Sequence, residues 1–172
     1  MTDGYSGFED WYSDSHARVL AVLTVVSGNP DTASEATDEA FARALARWHR
    51  VREMSSPTGW TYRVALNQLR RRFRRQTHEG QLLLLANDPS RQEQDLSLWL
   101  QVLDAVRPLT ARQRTVLALT YVADLPQDEV ARLLHVSRST VASTLADAKA
   151  AVLAHDAIPI AWEGLEGCHD AG

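Results

Sequence analysis

Apolar positions recur along this chain at separations of three and four, the period of a helix. In "FEDWYSDSHARVLAVLTVVSG" the positions Phe8, Trp11, Tyr12, Val19, Leu20, Leu23 and Val26 form one stripe, closed by Gly28. Pro30 and Asp31 open a second helix, with Asp31 as the expected N-cap. Its expected buried face is Ala33, Ala36, Ala40, Phe41, Ala44, Leu45 and Trp48. "HRVREMSS" reads as a loop, and Ser56 with Pro57 starts a third helix by N-cap and first-turn proline. The apolar face of that helix is Trp60, Val64, Leu66 and Leu69, with Phe73 beyond. No run of alternating apolar and polar residues bounded by hairpin turns appears, so strands are not expected.

The pattern breaks at "THEGQLLLLANDPSRQEQD", whose Gly, Asn, Asp and Pro read as a linker. Its four leucines are expected to pack onto a domain. Residues 95–107 read as a helix stopped before Pro108. "TARQ" then has the spacing of a capping box, Thr110 with Gln113, ahead of a helix burying Val116, Leu117, Leu119 and Tyr121. Pro126 opens a short helix, "QDEVARLL". After His135, Val136 and Ser137 comes a last helix with Val141, Leu145, Ala148 and Val152 on one face. Ala131 is the small residue where two helices can cross, and Val141 is the apolar contact back. His135 tolerates the left-handed turn conformation, and Ser137 can cap the last helix. This is the pattern of a helix-turn-helix, although a plain helical hairpin has the same spacing. The tail, "AIPIAWEGLEGCHDAG", is expected to be extended, with the option of docking.

The fold class is therefore all-α. Two small helical domains, residues 1–78 and 101–157, are expected to be joined by a linker, 79–100, and followed by a tail, 158–172. The second domain contains the helix-turn-helix.

Charge sharpens this picture. The net charge is −4, yet residues 43–75 hold ten arginines and one acid, and five of those arginines fall in "RRRFRR". Such a concentrated basic block in an acidic chain points to nucleic acid, the alternative being a solvated helix face. The single cysteine, Cys168, cannot form an internal disulfide. No apolar run is long enough to span a bilayer, so no membrane insertion is expected, and the predicted location is cytoplasmic. The six histidines are scattered, and no phosphate loop or nucleophile motif is present. No cofactor, metal or catalytic residue is expected, and the chain does not read as an enzyme.

"LTARQRTVLALTYVADLPQDEVARLLHVSRSTVASTLADAKAAV" resembles the C-terminal domain of extracytoplasmic-function sigma factors, the promoter-recognition subunits of bacterial RNA polymerase. "ASEATDEAFARALARWHRV" resembles their polymerase-clamping helix. "SPTGWTYRVALNQLRRRFRR" resembles their promoter-melting helix, with Trp60, Tyr62, Arg63, Ala65 and Asn67 at the family spacing. The resemblance covers about residues 8–75 and 105–155.

The resemblance implies two partners, core RNA polymerase and promoter DNA, with an anti-sigma factor or another protein regulator as a third candidate. The implied polymerase-binding face is Glu35, Asp38, Phe41, Arg43, Ala44 and Trp48, although Phe41 and Trp48 are equally suited to packing within their own domain. For the −10 element the implied contacts are Arg63, Asn67, Arg70 and Arg71. Arg72, Arg74 and Arg75 would add attraction for phosphates. For the −35 element they are Arg112, Arg114, Ser137, Arg138, Ser139, Thr140, Ser143, Thr144 and Lys149.

This chain also departs from the family. Ala142, Thr144 and Asp147 stand where relatives usually carry basic residues, and Ala36 and Asp38 alter the clamp helix. Three readings follow. The first is a working sigma factor that binds core polymerase, recognises a promoter and helps melt it. The second is a sigma-like protein with weakened or lost promoter reading that acts through protein contacts. The third is a DNA-binding regulator that works without polymerase.

Overall fold

The computed structural model describes residues 5–79 and 100–155, and for 75–79 it describes the backbone alone. The linker's leucines, the tail and Cys168 lie outside the described residues. Every regular element among those described is a helix: α1 (Phe8–Ser27), α2 (Pro30–Ala46), α3 (Trp48–Val51), α4 (Pro57–Glu79), α5 (Ala111–Tyr121), α6 (Gln127–Leu134) and α7 (Arg138–Ala154). A further helical stretch, 100–105, precedes α5.

Local chemistry sets most boundaries. Gly28 ends α1 in the left-handed conformation, φ 68°, and its N–H donates to the Thr24 carbonyl. The cap of α2 is Asn29, two residues ahead of the expected Asp31: its side chain accepts from the Thr32 N–H at 2.9 Å. Pro30 takes the first helical position, where its fixed φ and missing N–H cost nothing, and Asp31 sits in the first turn facing the positive helix end. Ser56 Oγ accepts from the Gly59 N–H at 3.0 Å, as expected of a cap ahead of Pro57. The Thr110–Gln113 capping box forms in both directions, at 3.2 and 2.9 Å.

The expected second helix is interrupted. Arg47 leaves the helical region (φ −127°, ψ 22°), and α3 occupies part of the expected loop. The break places Trp48 inside, 4 % exposed, among Phe8, Trp11 and Trp60, with its indole N–H donating to the Ser6 carbonyl at 2.9 Å. Leu45, expected to be buried, is exposed.

The main core runs through both halves of the chain without interruption. It joins Val19, Leu23, Phe41, Tyr62 and Leu69 to Leu119, Val130, Val141 and Leu145. α1 packs on α2 and α4 on one side and on α5 on the other. In consequence Val22, Leu23, Thr24, Val25 and Val26 are all buried, so this part of α1 is covered all round. Residues Thr115 to Thr120 of α5 are likewise buried in succession. Each apolar side chain removed from water contributes about 1.5–3 kcal/mol, so this inter-helix packing is a large share of the fold's stability.

Candidate functional site

α4 is amphipathic in a way that sorts its residues by task. Tyr62, Ala65, Leu66 and Leu69 are buried, and Arg63, Asn67, Arg70 and Arg74 are exposed. The exposed four are spaced by four, three and four residues, so they form one polar stripe along the helix. Arg71 is exposed beside it. Arg75 lies in α4, but its side chain is outside the described residues. The stripe presents fork-shaped, permanently charged donors in a row, a geometry suited to phosphates and to unstacked bases.

Arg72 points elsewhere. It forms an ion pair with Glu35 of α2. The two residues, expected to serve different partners, hold each other across the α2–α4 seam. They line an open cleft of about 440 Å³ with Ala36, Glu39, Arg43, Gln68 and Arg71. Arg43 pairs with Glu39 at 2.6 Å, and its terminal nitrogens reach the Gln68 carboxamide oxygen at 2.7 and 3.2 Å once that amide is turned to satisfy both groups. On the neighbouring face Asp38 lies 3.7 Å from His16.

Phe41 and Trp48 are not surface anchors. Phe41 is 3 % exposed and is enclosed by the rings of Trp11, Tyr12 and His16 at 5.0–5.4 Å. Trp48 meets Phe8 edge to face and packs at a tilt against Trp11. Their separation of seven residues predicted one shared face, but Phe41 turns inward where α2 lies across α1, and the break at Arg47 carries Trp48 into α3 and inside. Ala44 is buried with them. The polar part of the expected face, Glu35, Asp38 and Arg43, is exposed, together with Glu39 and Leu45.

Two buried polar groups escaped the sequence reading. Tyr62 is 1 % exposed, its hydroxyl has no hydrogen-bond partner, and burial pushes its pKa up to about 12 against a smaller opposing pull from Arg18. Trp11 and Ser15 meet Thr58 at 3.2 and 3.3 Å, tying α1 to the start of α4. A helical stripe in which Trp11 and Ser15 sit four apart could have signalled this tie, but no periodicity names Thr58 as the partner.

α6, the turn and α7 form the helix-turn-helix. His135 adopts φ 56°, ψ 47°, and the Val136 N–H returns to the Ala131 carbonyl at 3.0 Å. Ser137 caps α7 by accepting from the Thr140 N–H at 3.1 Å. Val141, Leu145, Ala148 and Val152 are buried as the spacing required.

The charge of this unit is largely engaged. Arg138 lies 3.6 Å from Asp128, an exposed pair worth about 1 kcal/mol or less. Lys149 sits over the Tyr121 ring, 5.5 Å from its centre. Ser137 is shared among its own cap, Ser139 at 2.8 Å and Thr140 at 2.7 Å. Ser143 donates to the Thr140 carbonyl at 3.1 Å, and Thr144 is half-buried. The outer face of α7 thus presents Ser139, Ala142, Ser143, Ala146, Asp147 and Ala150, nearly free of positive charge.

Arg112 is exposed at the first turn of α5, whereas Arg114 is turned inward. Its Nη1 lies 3.5 Å from where a side chain at Gly28 would begin, its Nε has no partner, and burial lowers its pKa. Arg114 is therefore half-buried beside the end of α1, unlike the exposed Arg112. Among the described residues no group of His, Cys, Asp and Glu could hold a metal ion, and no helix is long and apolar enough to cross a membrane.

Comparison with known proteins agrees with this architecture. Residues 11–79 match the family model of sigma-70 region 2, and residues 99–152 match that of sigma-70 region 4. No curated protein gives a significant match to the chain. The fold is similar to that of the sigma factor RpoE from Bartonella quintana, solved in complex with the anti-sigma factor NepR. The TM-score is 0.76 at 16% identity, over 88% of this chain and 98% of that one. It is also similar to CnrH, solved in complex with the cytosolic domain of CnrY, with a TM-score of 0.63 at 20% identity over 88% and 90% of the two chains. With region 2 carrying the arginine stripe, region 4 carrying the helix-turn-helix, and the two in that order, the chain belongs to the sigma-70 family.

Proposed function

We propose that this protein binds core RNA polymerase and directs promoter recognition and melting. The observation that carries the reading is the exposed stripe Arg63, Asn67, Arg70 and Arg74 on a helix within sigma-70 region 2. Arginine planes receive bases as they leave the duplex, while neighbouring arginines hold the phosphates. In this reading residues 1–78 carry polymerase and −10 binding, and residues 101–157 carry −35 binding. Glu35, Asp38, Glu39, Arg43 and Leu45 offer polymerase a mixed surface of charge with one apolar contact. Arg112, Arg138 and the α7 N-terminus offer phosphate contacts at the −35 element. A protein regulator is a further partner in this reading, since both similar structures hold a protein partner.

The test is transcription in vitro from a fragmented genomic library with cognate core polymerase, reading the RNA 5′ ends. New start sites sharing an upstream motif are expected only when the protein is present. Arg70→Ala with Arg71→Ala should lower their yield by roughly 100-fold or more, by loss of two charge-assisted contacts at about 1.5–3 kcal/mol each. Unchanged yield would remove α4 from promoter melting.

One observation favours a second reading, a sigma-like protein acting mainly through protein contacts: beyond Arg138, which sits in an exposed pair with Asp128, the outer face of α7 is nearly neutral, and Lys149 lies over the Tyr121 ring. It predicts co-elution with polymerase or another protein and no new start sites.

A further inference from the structure

Arg138 is the only arginine of α7 and its first residue, directly after the Ser137 cap. Its Nε lies 3.6 Å from Oδ1 of Asp128, in the first turn of α6, and the two side chains are 69 % and 67 % exposed. The backbone carbonyl of Asp128 accepts from Arg132 Nε at 3.3 Å, so two arginines flank this residue. The carboxylate addresses the stem-side nitrogen of Arg138. Among the described residues no hydrogen bond engages the two terminal nitrogens, and the fork is open to a partner outside the chain. Nothing else on the outer face of α7 offers such a fork: its other exposed residues are Ser139, Ala142, Ser143, Ala146, Asp147 and Ala150.

Two DNA groups can take an arginine fork, a phosphate and a guanine edge. A carboxylate 3.6 Å from the arginine opposes a phosphate contact, because it repels the group that the arginine attracts. A guanine edge carries no net charge. Its O6 and N7 accept both terminal nitrogens, and the paired cytosine presents an amino donor that a carboxylate tolerates. Position favours the base as well. In a helix-turn-helix the N-terminal residues of the second helix reach base edges, while the first helix crosses the backbone. A solitary surface arginine samples many rotamers, and a carboxylate at Nε narrows them before DNA arrives.

We propose that Asp128 is a positioning residue for Arg138, and that this pair carries the selection of one guanine in the −35 element. Arg138 donates from both terminal nitrogens to O6 and N7, and Asp128 sets the plane of the fork. The proposal rests on the sigma-factor reading above, and within it moves Arg138 from the phosphates to a base edge.

The test uses the full chain with core polymerase. A promoter found by the library experiment is randomised across its −35 element, and the templates that yield RNA are sequenced. The parent is expected to favour guanine about tenfold at one position. Arg138→Lys keeps the charge and loses the fork, so that preference should vanish. Asp128→Asn should reduce it to about threefold at the same position and leave every other position as it was. Asp128→Glu keeps the carboxylate and should retain the preference. Both residues are exposed, and thermal melting by circular dichroism checks that each variant folds as the parent does. A guanine preference that survives Arg138→Lys overturns the pair. So does an Asp128→Asn effect spread evenly over all positions, which is the result expected of a charge or structural role alone. A parent that initiates without any guanine preference overturns it too. If no template yields RNA, the sigma reading fails instead. Selection of random duplexes by the free chain and the same variants then decides the pair, and the lack of a guanine that depends on Arg138 overturns it.

Discussion

Tyr62 shows how one residue can satisfy a family pattern for a reason other than recognition. It stands in the α4 motif that resembles the family's promoter-melting helix, yet its ring is in the core and its hydroxyl has no partner. A buried hydroxyl without a hydrogen bond costs about 1–3 kcal/mol, so Tyr62→Phe should leave stability at pH 7 unchanged or raise it by up to that amount. The pH dependence is the sharper measurement. The folded pKa of about 12 lies above the unfolded value of 10.0, so the folded state holds the proton more tightly. The stabilisation is complete below pH 10 and is lost as pH rises towards 12. By pH 11 the loss is about 1 kcal/mol. Urea unfolding at pH 7 and pH 11 should show that loss in the parent and not in Tyr62→Phe. Equal losses in both would place the titrating group elsewhere. Phe41 and Trp48 carry the same lesson: their spacing defined a face, and only the position of α1 decided that the face is internal.

At the scale of the element, α7 keeps the shape of a recognition helix while its charge is muted. The buried stripe Val141, Leu145, Ala148 and Val152 and the Ser137 cap were legible from spacing alone, because an apolar face and an N-cap are local consequences of sequence. The electrostatic state was not legible. Arg138 and Lys149 count as two positive charges in the sequence, but in the fold Asp128 stands 3.6 Å from Arg138 and Lys149 lies over the Tyr121 ring. Ala142→Lys with Asp147→Arg adds charge on the exposed face without touching the core. It should tighten duplex binding and steepen its salt dependence by about two units. Fluorescence anisotropy across a salt series checks this, and unchanged binding would mean that α7 does not meet DNA. The break at Arg47 was also hidden, because "FARALARW" keeps helical spacing through Trp48. What turns the chain there is the site for Trp48 built by Phe8, Trp11 and Trp60, none of which is near in sequence.

For the whole molecule, the halves share one core instead of owning two. Residues of α1 and α5 that are buried in succession cannot be satisfied by either half alone. Unfolding is therefore expected to be a single cooperative transition. Far-UV circular dichroism and tryptophan fluorescence should give coincident urea curves. Two separated transitions would mean that the halves fold independently and that the inter-half contacts are weak. Linker and tail were readable as composition only, and they lie outside the described residues.

The sequence by itself determined the all-α class, the caps at Ser56, Thr110 and Ser137, the left-handed turn at His135, the arginine stripe of α4 and membership of the sigma family. All of these depend on neighbours within about four residues, or on a pattern preserved along the chain. The tertiary structure alone decided which side chains are free to act. Phe41 and Trp48 went inside, Arg72 was given to Glu35, and Arg114 was turned inward beside the end of α1. Each depends on a partner distant in sequence or on another helix. Periodicity fixes which residues share a helix face, and packing fixes what that face meets.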